Sequence, residues 1–271
     1  MTHALTDRAA LIRNRRRAQA NPALFLHEAA ADEVEYRLGV VNRSFTSIAI
    51  VTGFPDFWQA RFPKATCIAD DEVLTLEESA HDLVIHALCL HWANDPVGQL
   101  IQARRALKPD GFLLAALFGG ETLQELRRSL AQAESDLRGG LAPRVLPMGD
   151  VRDLGALLQR AGLALPVADS LPLKTSYAAP LHLMRDLRQM GEANAMAARI
   201  RAMTRRDILL RASEIYQQNY SDSEGRIPAS FDMIFLTGWA PDASQPQPLR
   251  PGSAATRLAE ALGTVESPLK D

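Results

Sequence analysis

Along this chain short unbroken apolar runs alternate with longer stretches whose apolar residues recur at helical spacing. The runs at 47–51, 65–69, 82–88 and 112–118 predict β-strands. The last is apolar almost throughout, the pattern of a strand covered on both faces. Runs at 163–168 and 171–177 predict two more strands, and 231–239 a late one. Helices are predicted over 4–18, from an Asn21-Pro22 start to residue 41, over 54–62, and from Asn94-Asp95-Pro96 to 107. Further helices are predicted over 121–137, 150–161, 180–190 and 205–220. Lys108-Pro109-Asp110-Gly111 predicts a turn, because proline presets φ and glycine accepts a positive one. Strands alternating with helices through short turns predict an α/β fold: a mostly parallel sheet with helices on both faces. The expected organisation is an N-terminal helical segment (1–43), a core (44–177), a helical lobe with a final strand (178–240) and a flexible tail (241–271). The tail is rich in Pro, Ser and Gln and has little apolar surface to bury.

Composition narrows the function. With 47% hydrophobic and 23% charged residues the chain has enough apolar material for a sizeable core. Thirty basic and 32 acidic residues leave a net charge of −2, which argues against a dedicated nucleic-acid binder. The basic set is 26 Arg and 4 Lys, and guanidinium forks suit carboxylate and phosphate partners. Cys67 and Cys89 are too few for a disulfide framework, argue against a structural zinc site, and fall in predicted strands as buried, inert thiols. No apolar run reaches the roughly 18–20 residues that span a bilayer. The first residues lack the apolar core of a secretory signal. The expectation is a cytoplasmic protein. The start is basic, with Asp7 the only acid before Glu28, so docking on an anionic surface and import-peptide character both stay open.

One series of residues is more specific. Asp82-Leu83-Val84, Leu90-His91-Trp92, Asn94-Asp95 and Arg105-Ala106-Leu107-Lys108-Pro109-Asp110-Gly111 follow each other in that order. The series resembles the second half of a class I S-adenosylmethionine-dependent methyltransferase domain, where it marks the fourth strand, its loop, the next helix and the turn into the fifth strand. Phe118-Gly119-Gly120-Glu121-Thr122-Leu123 with Glu125-Leu126-Arg127 is similar to the complex I assembly factor 5 family. So are Gly191-Glu192-Ala193-Asn194-Ala195, Ile227-Pro228-Ala229-Ser230-Phe231 and Gly238-Trp239. That family in turn is similar to the malonyl-carrier-protein methyltransferases of biotin synthesis. The resemblance implies a Rossmann-like methyltransferase fold, S-adenosylmethionine as cofactor, and a protein substrate in the assembly of respiratory NADH dehydrogenase. It also implies peripheral association with that membrane-bound complex. Hydroxylation of an arginine on an iron–sulfur subunit is an activity described for the family. On the cofactor side the resemblance points to Gly53, Asp70, Asp71, Leu90 and His91.

Such a cofactor site needs a glycine-rich turn after the first strand, an acid after the second for the ribose hydroxyls, and a polar group after the third facing adenine. Here the first turn is Val51-Thr52-Gly53-Phe54-Pro55-Asp56-Phe57, with one glycine where the superfamily carries several, and the loop is expected to be filled by its own side chains. Between residues 48 and 82 there is room for one strand-and-helix unit, since each takes roughly 20–25 residues. Aligning 69–72 with the family's acidic turn makes this the third strand. It leaves Asp70 on the adenine side and deletes the second strand with its ribose acid. A sheet shortened this way ends on the third strand or on the first, and either edge exposes a ladder that invites a partner. For Asp70 and Asp71 the plain alternative is a solvated turn.

The remaining candidates each have two readings. His91 is a pocket donor or base at a strand's C-terminal end, or a hydrogen-bonded core histidine. Trp92 is a stacking platform or a core aromatic, and Asn94 a helix cap. Gly119 and Gly120 expose helix amides to an anion, or form a tight strand-to-helix turn. Glu121 is an acid beside the pocket, or a first-turn partner of the helix dipole. Glu192 and Asn194 lie in a polar turn of the covering lobe, with Tyr177, Arg185 and Tyr216 as substrate-side candidates. Arg199, Arg201, Arg205, Arg206 and Arg211 form a basic patch for an acidic partner, or a solvated face. His91, Glu121 and Asn194 are the candidates for chemistry. No His/Asp/Glu group has metal-site spacing, and no Asn/Asp-Pro-Pro-Tyr/Phe motif for flipped-base chemistry occurs. Two functions follow. One is an S-adenosylmethionine-dependent enzyme acting on a protein. The other is a non-catalytic, methyltransferase-like assembly chaperone that no longer binds the cofactor.

Overall fold

The predicted strands assemble into one six-stranded sheet in a computed structural model, which describes residues 4–246, 260, 262 and 263. In chain order the elements are α1 (Arg8–Ala18), α2 (Phe25–Val41), β1 (Ile48–Thr52), α3 (Pro55–Arg61), β2 (Thr66–Ile68) and β3 (His81–Ala87). A single 3-10 turn (Leu90–Trp92) follows, then α4 (Pro96–Ala106), β4 (Leu107–Gly119), α5 (Gln124–Arg138), α6 (Val151–Arg160) and β5 (Ala164–Tyr177). The last elements are α7 (Pro180–Gln189), α8 (Arg206–Tyr220) and β6 (Ile227–Trp239). The sheet order is β2-β1-β3-β4-β6-β5. The first four strands are parallel, β6 runs antiparallel to β4, and β5 antiparallel to β6. This is the mostly parallel α/β sheet of the Rossmann-like methyltransferase class.

Strand periodicity explains the apolar runs. In β4, Phe112, Leu114, Ala116 and Phe118 pack into one layer with α2, α3, α5, α7 and α8. The alternate residues Leu113, Ala115 and Leu117 pack into the opposite layer with α4 and α6. Both faces are covered, so both sets must be apolar. A third, smaller cluster joins Ala10 and Leu11 of α1 to Trp92, Leu146, Ala195 and Met196. The Lys108–Gly111 turn is kept as a bulge inside β4, where the register with β3 jumps and Asp110 takes a φ of 56°.

The shortened side of the sheet closes with β2 at the edge. It pairs directly with β1, so β1 remains internal. The exposed ladder there is only three residues long. Of the two closures expected, this is the one that leaves the strand before Asp70 at the edge, and it carries Asp70 to the end of the strand beside β1, next to the Gly53 turn. At the other edge the two strands predicted over 163–177 are one continuous β5, which includes Pro166 and Pro172. Its interruption at Asp169-Ser170 does not occur: both residues stay in the ladder with β6, opposite Phe235 and Ile234, and the Arg37 fork grips the Asp169 carboxylate at 2.5 and 2.6 Å.

The chain divides into two units, at Pro241/Asp242. In the second, Asp242 accepts from the backbone N–H and the hydroxyl of Ser244. Most of the tail expected to be flexible lies outside the described residues. No helix among the described residues is long and apolar enough to cross a membrane.

Candidate functional site

The chain leaves β1 for β2 on one side and returns to β3 on the other, so a crevice opens at the C-terminal ends of β1 and β3, where ligands of such sheets bind. Gly53 ends β1 there. The turn is tightened by the Thr52 hydroxyl, which accepts the Phe54 N–H at 3.1 Å. Phe54 is buried against the His27 ring, 4.7 Å between centroids. Over Gly53 lies the Arg15 side chain of α1: a Cβ at residue 53 would come within 2.6 Å of its guanidinium. Arg15 donates to Asp70 Oδ1 at 2.5 Å, and Arg8 donates to Oδ2 at 3.1 Å and to the Asp70 carbonyl at 2.6 Å. Burial by itself would raise the Asp70 pKa. The Arg15 charge, helped by Arg8, outweighs it and holds the carboxyl below its ordinary range. Asp71 is exposed, with Arg8 3.7 Å away.

Beneath Arg15 runs a neutral polar chain. Gln99 Nε2 donates to the Asp71 carbonyl at 3.0 Å, which turns its Oε1 toward His86 Nε2 at 2.7 Å. His86 therefore carries its proton on Nε2 and offers the Nδ1 lone pair to Cys89 Sγ, 3.3 Å away. Burial pushes the His86 pKa down to about 4 and the Cys89 thiol well up, so both stay uncharged. Leu90 is buried with Cys89 in the α4/α6 layer.

On the other side of the crevice the 3-10 turn presents His91 and Trp92 to Glu192. His91 Nδ1 accepts the Phe118 N–H at 3.5 Å, leaving Nε2–H to donate to Glu192 Oε2 at 3.2 Å. Trp92 Nε1 donates to the same oxygen at 2.7 Å. Burial works to raise the Glu192 pKa, but His91, Arg15 and the Trp92 donor together keep it lowered. No hydrogen bond to Glu192 Oε1 occurs among the described residues. Glu192 and Trp92 line a cleft of about 210 Å³ whose walls include Phe118, Leu123, Leu126, Val145 and Met184.

The structure thus brings together Gly53, Asp70, His91, Trp92 and Glu192, and other candidates take different places. Asn194 lines the cleft, but its amide donates to the Pro143 carbonyl and accepts the Met196 N–H, which makes it a turn clamp. Asn94 is not the cap of α4. Asp95 is, accepting the Gly98 N–H at 2.8 Å, while Asn94 holds Thr6 and Glu72. Glu121 precedes α5, exposed, its own N–H donated to Asp232. The acid of the first turn is Glu125. Gly119 and Gly120 form the tight turn rather than an anion cradle: the Gly120 N–H goes to the Gly149 carbonyl, and a Cβ at either glycine would strike β6 side chains. Tyr177 and Tyr216 are packing residues. Burial raises the Tyr177 phenol to about 12, and the Tyr216 hydroxyl donates to the Pro228 carbonyl. Arg185 is exposed on α7 and does not line the cleft. The basic patch is largely spent internally, Arg199 on Asp7, Arg205 on Asp207 and Arg211 on Asp136. No three His, Cys, Asp or Glu side chains gather as a metal site among the described residues.

The cofactor of such a domain would rest its methionine part on the Gly53 turn and its ribose on an acid after the neighbouring strand. Asp70 has the right chemistry and place. As arranged, however, the residues do not fit the group: the guanidinium of Arg15 occupies the space over Gly53 and both Asp70 oxygens are taken.

Comparison with known proteins agrees with the fold. The profile of a methyltransferase domain matches residues 25–115. The arginine-hydroxylase NDUFAF5, mitochondrial, of Danio rerio is 38% identical over 230 residues, covering 84% of this chain and 71% of that protein. Its Homo sapiens counterpart is 38% identical over 209 residues, 77% of this chain and 60% of that protein. A malonyl-[acyl-carrier protein] O-methyltransferase of Laribacter hongkongensis is 35% identical over 184 residues, 68% of this chain and 59% of its own length.

Proposed function

Because this chain belongs to the NDUFAF5 family of methyltransferase-fold proteins, we propose that it serves the assembly of respiratory NADH dehydrogenase by holding an arginine side chain of a subunit. The observation that carries this reading is the half-used Glu192 carboxylate. Oε2 is fixed by Trp92 and His91, while Oε1 is left for a ligand in a cleft with mostly apolar walls. A guanidinium fork matches a carboxylate and its methylene stem suits the apolar walls, which Arg144 and Arg188 also line. The NDUFAF5 relatives are named arginine-hydroxylases, which points to the same residue type. The proposal covers recognition and positioning and routes no oxidation or transfer step through the chain. It places the protein in the cytoplasm, docked peripherally on the membrane-bound complex.

Whether group transfer follows recognition divides two readings. The methyltransferase domain favours an S-adenosylmethionine-dependent enzyme acting on the held side chain. The Arg15 side chain over Gly53 favours an assembly chaperone that keeps the recognition cleft without the cofactor.

The test is a titration of N-acetyl-arginine methylamide followed by the Trp92 indole N–H resonance. The expected result is a saturable shift, with the citrulline analogue about tenfold weaker or worse because it lacks the charge. Glu192→Gln should lose the shift while keeping the fold. Equal binding of the arginine and citrulline compounds, or an unmoved Trp92 signal, would overturn the reading.

A further inference from the structure

The place taken by Arg15 is built to receive it. Its side chain passes between two glycines. A Cβ at Gly53 would meet the guanidinium at 2.6 Å, and one at Gly191 would meet Arg15 Cγ at 2.9 Å. Gly191 also has a φ of 75°, where only glycine sits without strain. At the tip of the side chain stands Asp70, the acid at the end of the strand beside β1, and Arg8, two helical turns earlier on the same face of α1, takes its other oxygen. A helix outside the sheet thus supplies an intramolecular ligand to the residues that would face the cofactor.

The helix that carries these arginines is fastened differently from the rest of the molecule. Its apolar residues Ala10 and Leu11 belong to the small third cluster, and only Ala18, its last residue, reaches one of the two layers that hold the sheet. Its other ties go mostly to the turn bearing Glu192. The Asp7 N–H donates to the Ala195 carbonyl at 2.8 Å, Asn14 Nδ2 to the Ala193 carbonyl at 2.9 Å, and Asp7 pairs with Arg199 at 2.9 Å. These bonds can all be released together by a shift of one helix about its C-terminal end, where Ala18 stays seated in the sheet layer.

We propose that α1 is a strap that competes with S-adenosylmethionine: docked, it fills the cofactor position with Arg15 and Arg8, and the cofactor binds only to the form in which α1 has left. The same motion frees the Glu192 turn, so the two halves of the crevice are coupled. The inference rests on Gly53, Gly191, Asp70 and α1, and is independent of the arginine reading of the cleft. A docked strap lowers the apparent affinity for the cofactor by the fraction of molecules that are open. Weakening the strap must therefore tighten binding.

The experiment uses the full chain. S-adenosylhomocysteine is titrated by calorimetry into wild type, Arg15→Ala and Arg199→Ala, and hydrogen exchange of residues 8–18 is followed on the same samples with and without ligand. Arg199→Ala loosens the outer end of α1 without touching Asp70, so the test stands even where Arg15→Ala folds poorly. Expected is binding about tenfold tighter or more in the variants than in wild type, with α1 amides exchanging faster when ligand is present. Equal affinity in all three proteins, tighter binding by wild type, or α1 amides that keep or gain protection in the bound state would overturn the proposal. Failure of the arginine-analogue titration at Trp92 would leave these outcomes unaffected.

Discussion

Asp70 holds two arginines in a place shut off from water, and the consequences of removing partners are unequal. Asp70→Asn leaves Arg15 buried without a counter-charge, and breaking a buried pair in this way costs about 3–5 kcal/mol. Arg15→Ala costs less, because Arg8 still serves the carboxylate. Replacing both members, Asp70→Leu with Arg15→Met, should recover most of the loss, since apolar pairs of similar volume are as stable as buried ion pairs. A double-mutant cycle by urea unfolding measures this. A second residue-scale prediction concerns pH. Burial pushes His27 and His86 from 6.5 down to about 4. Between these values the unfolded chain binds more protons than the folded one, so stability rises with pH and is lost on acidification from about 6.5 to 4. Each histidine contributes on the order of 3 kcal/mol. Asp70 and Glu192, both lowered, add a further loss as the pH falls below their unfolded values of 3.8 and 4.5. Melting temperatures measured from pH 7 to 4 should fall throughout. His27→Gln, whose amide oxygen can still accept the Trp58 indole N–H, should flatten the upper part of the curve. At this scale Gly53, Asp70, His91, Trp92 and Glu192 are legible from motifs. Arg8 and Arg15 are not, because an arginine-rich helix reads as a solvated face. The signal is in the spacing: residues 8, 11, 15 and 18 share one side of α1, and Leu11, Arg15 and Ala18 are buried.

Elements are legible where burial dictates the pattern and illegible where a single hydrogen bond does. The β4 strand follows from its unbroken apolar run. The start of α2 does not follow from Asn21-Pro22, because the Ala23 N–H is drawn off to the Gln189 carbonyl and the helix begins at Phe25. The start of α4 shows the same competition one residue apart. Asn94 and Asp95 are both good caps by type, yet only Asp95 reaches the helix N–H groups, and Asn94 is spent on Thr6 and Glu72. Asp95→Ala should therefore cost about 1 kcal/mol of global stability in chemical denaturation. Gly98→Ala should also destabilise, although alanine is the better helix former, because its Cβ would overlap the Asp95 carboxylate. Asn94→Ala should leave the α4 amides protected and instead speed hydrogen exchange in the segment before α1.

At the largest scale two sheet layers set the fold, and a third, smaller cluster fastens α1 to Trp92, Leu146 and the turn at Ala195. The outermost strand on the long side, β5, has the length of a strand that could recruit another chain: 14 residues, with Leu165 and Val167 about half exposed. Prolines are tolerated in sheets at such edges, and a strand carrying Pro166 and Pro172 offers an incomplete set of donors. The exposed lysine at position 174 adds a charge that a second strand would have to bury. These residues contribute nothing to the crevice, and their consequence is colloidal. A protein with so long an edge strand must survive at its working concentration without pairing edge to edge with its own copies. Pro172→Val should leave the melting temperature within a few degrees of the wild type, since surface changes are usually worth about 0.5 kcal/mol or less. Light scattering on warming should nevertheless begin earlier and rise more steeply with protein concentration. Equal scattering from the two proteins would show that solubility is guarded elsewhere on the surface.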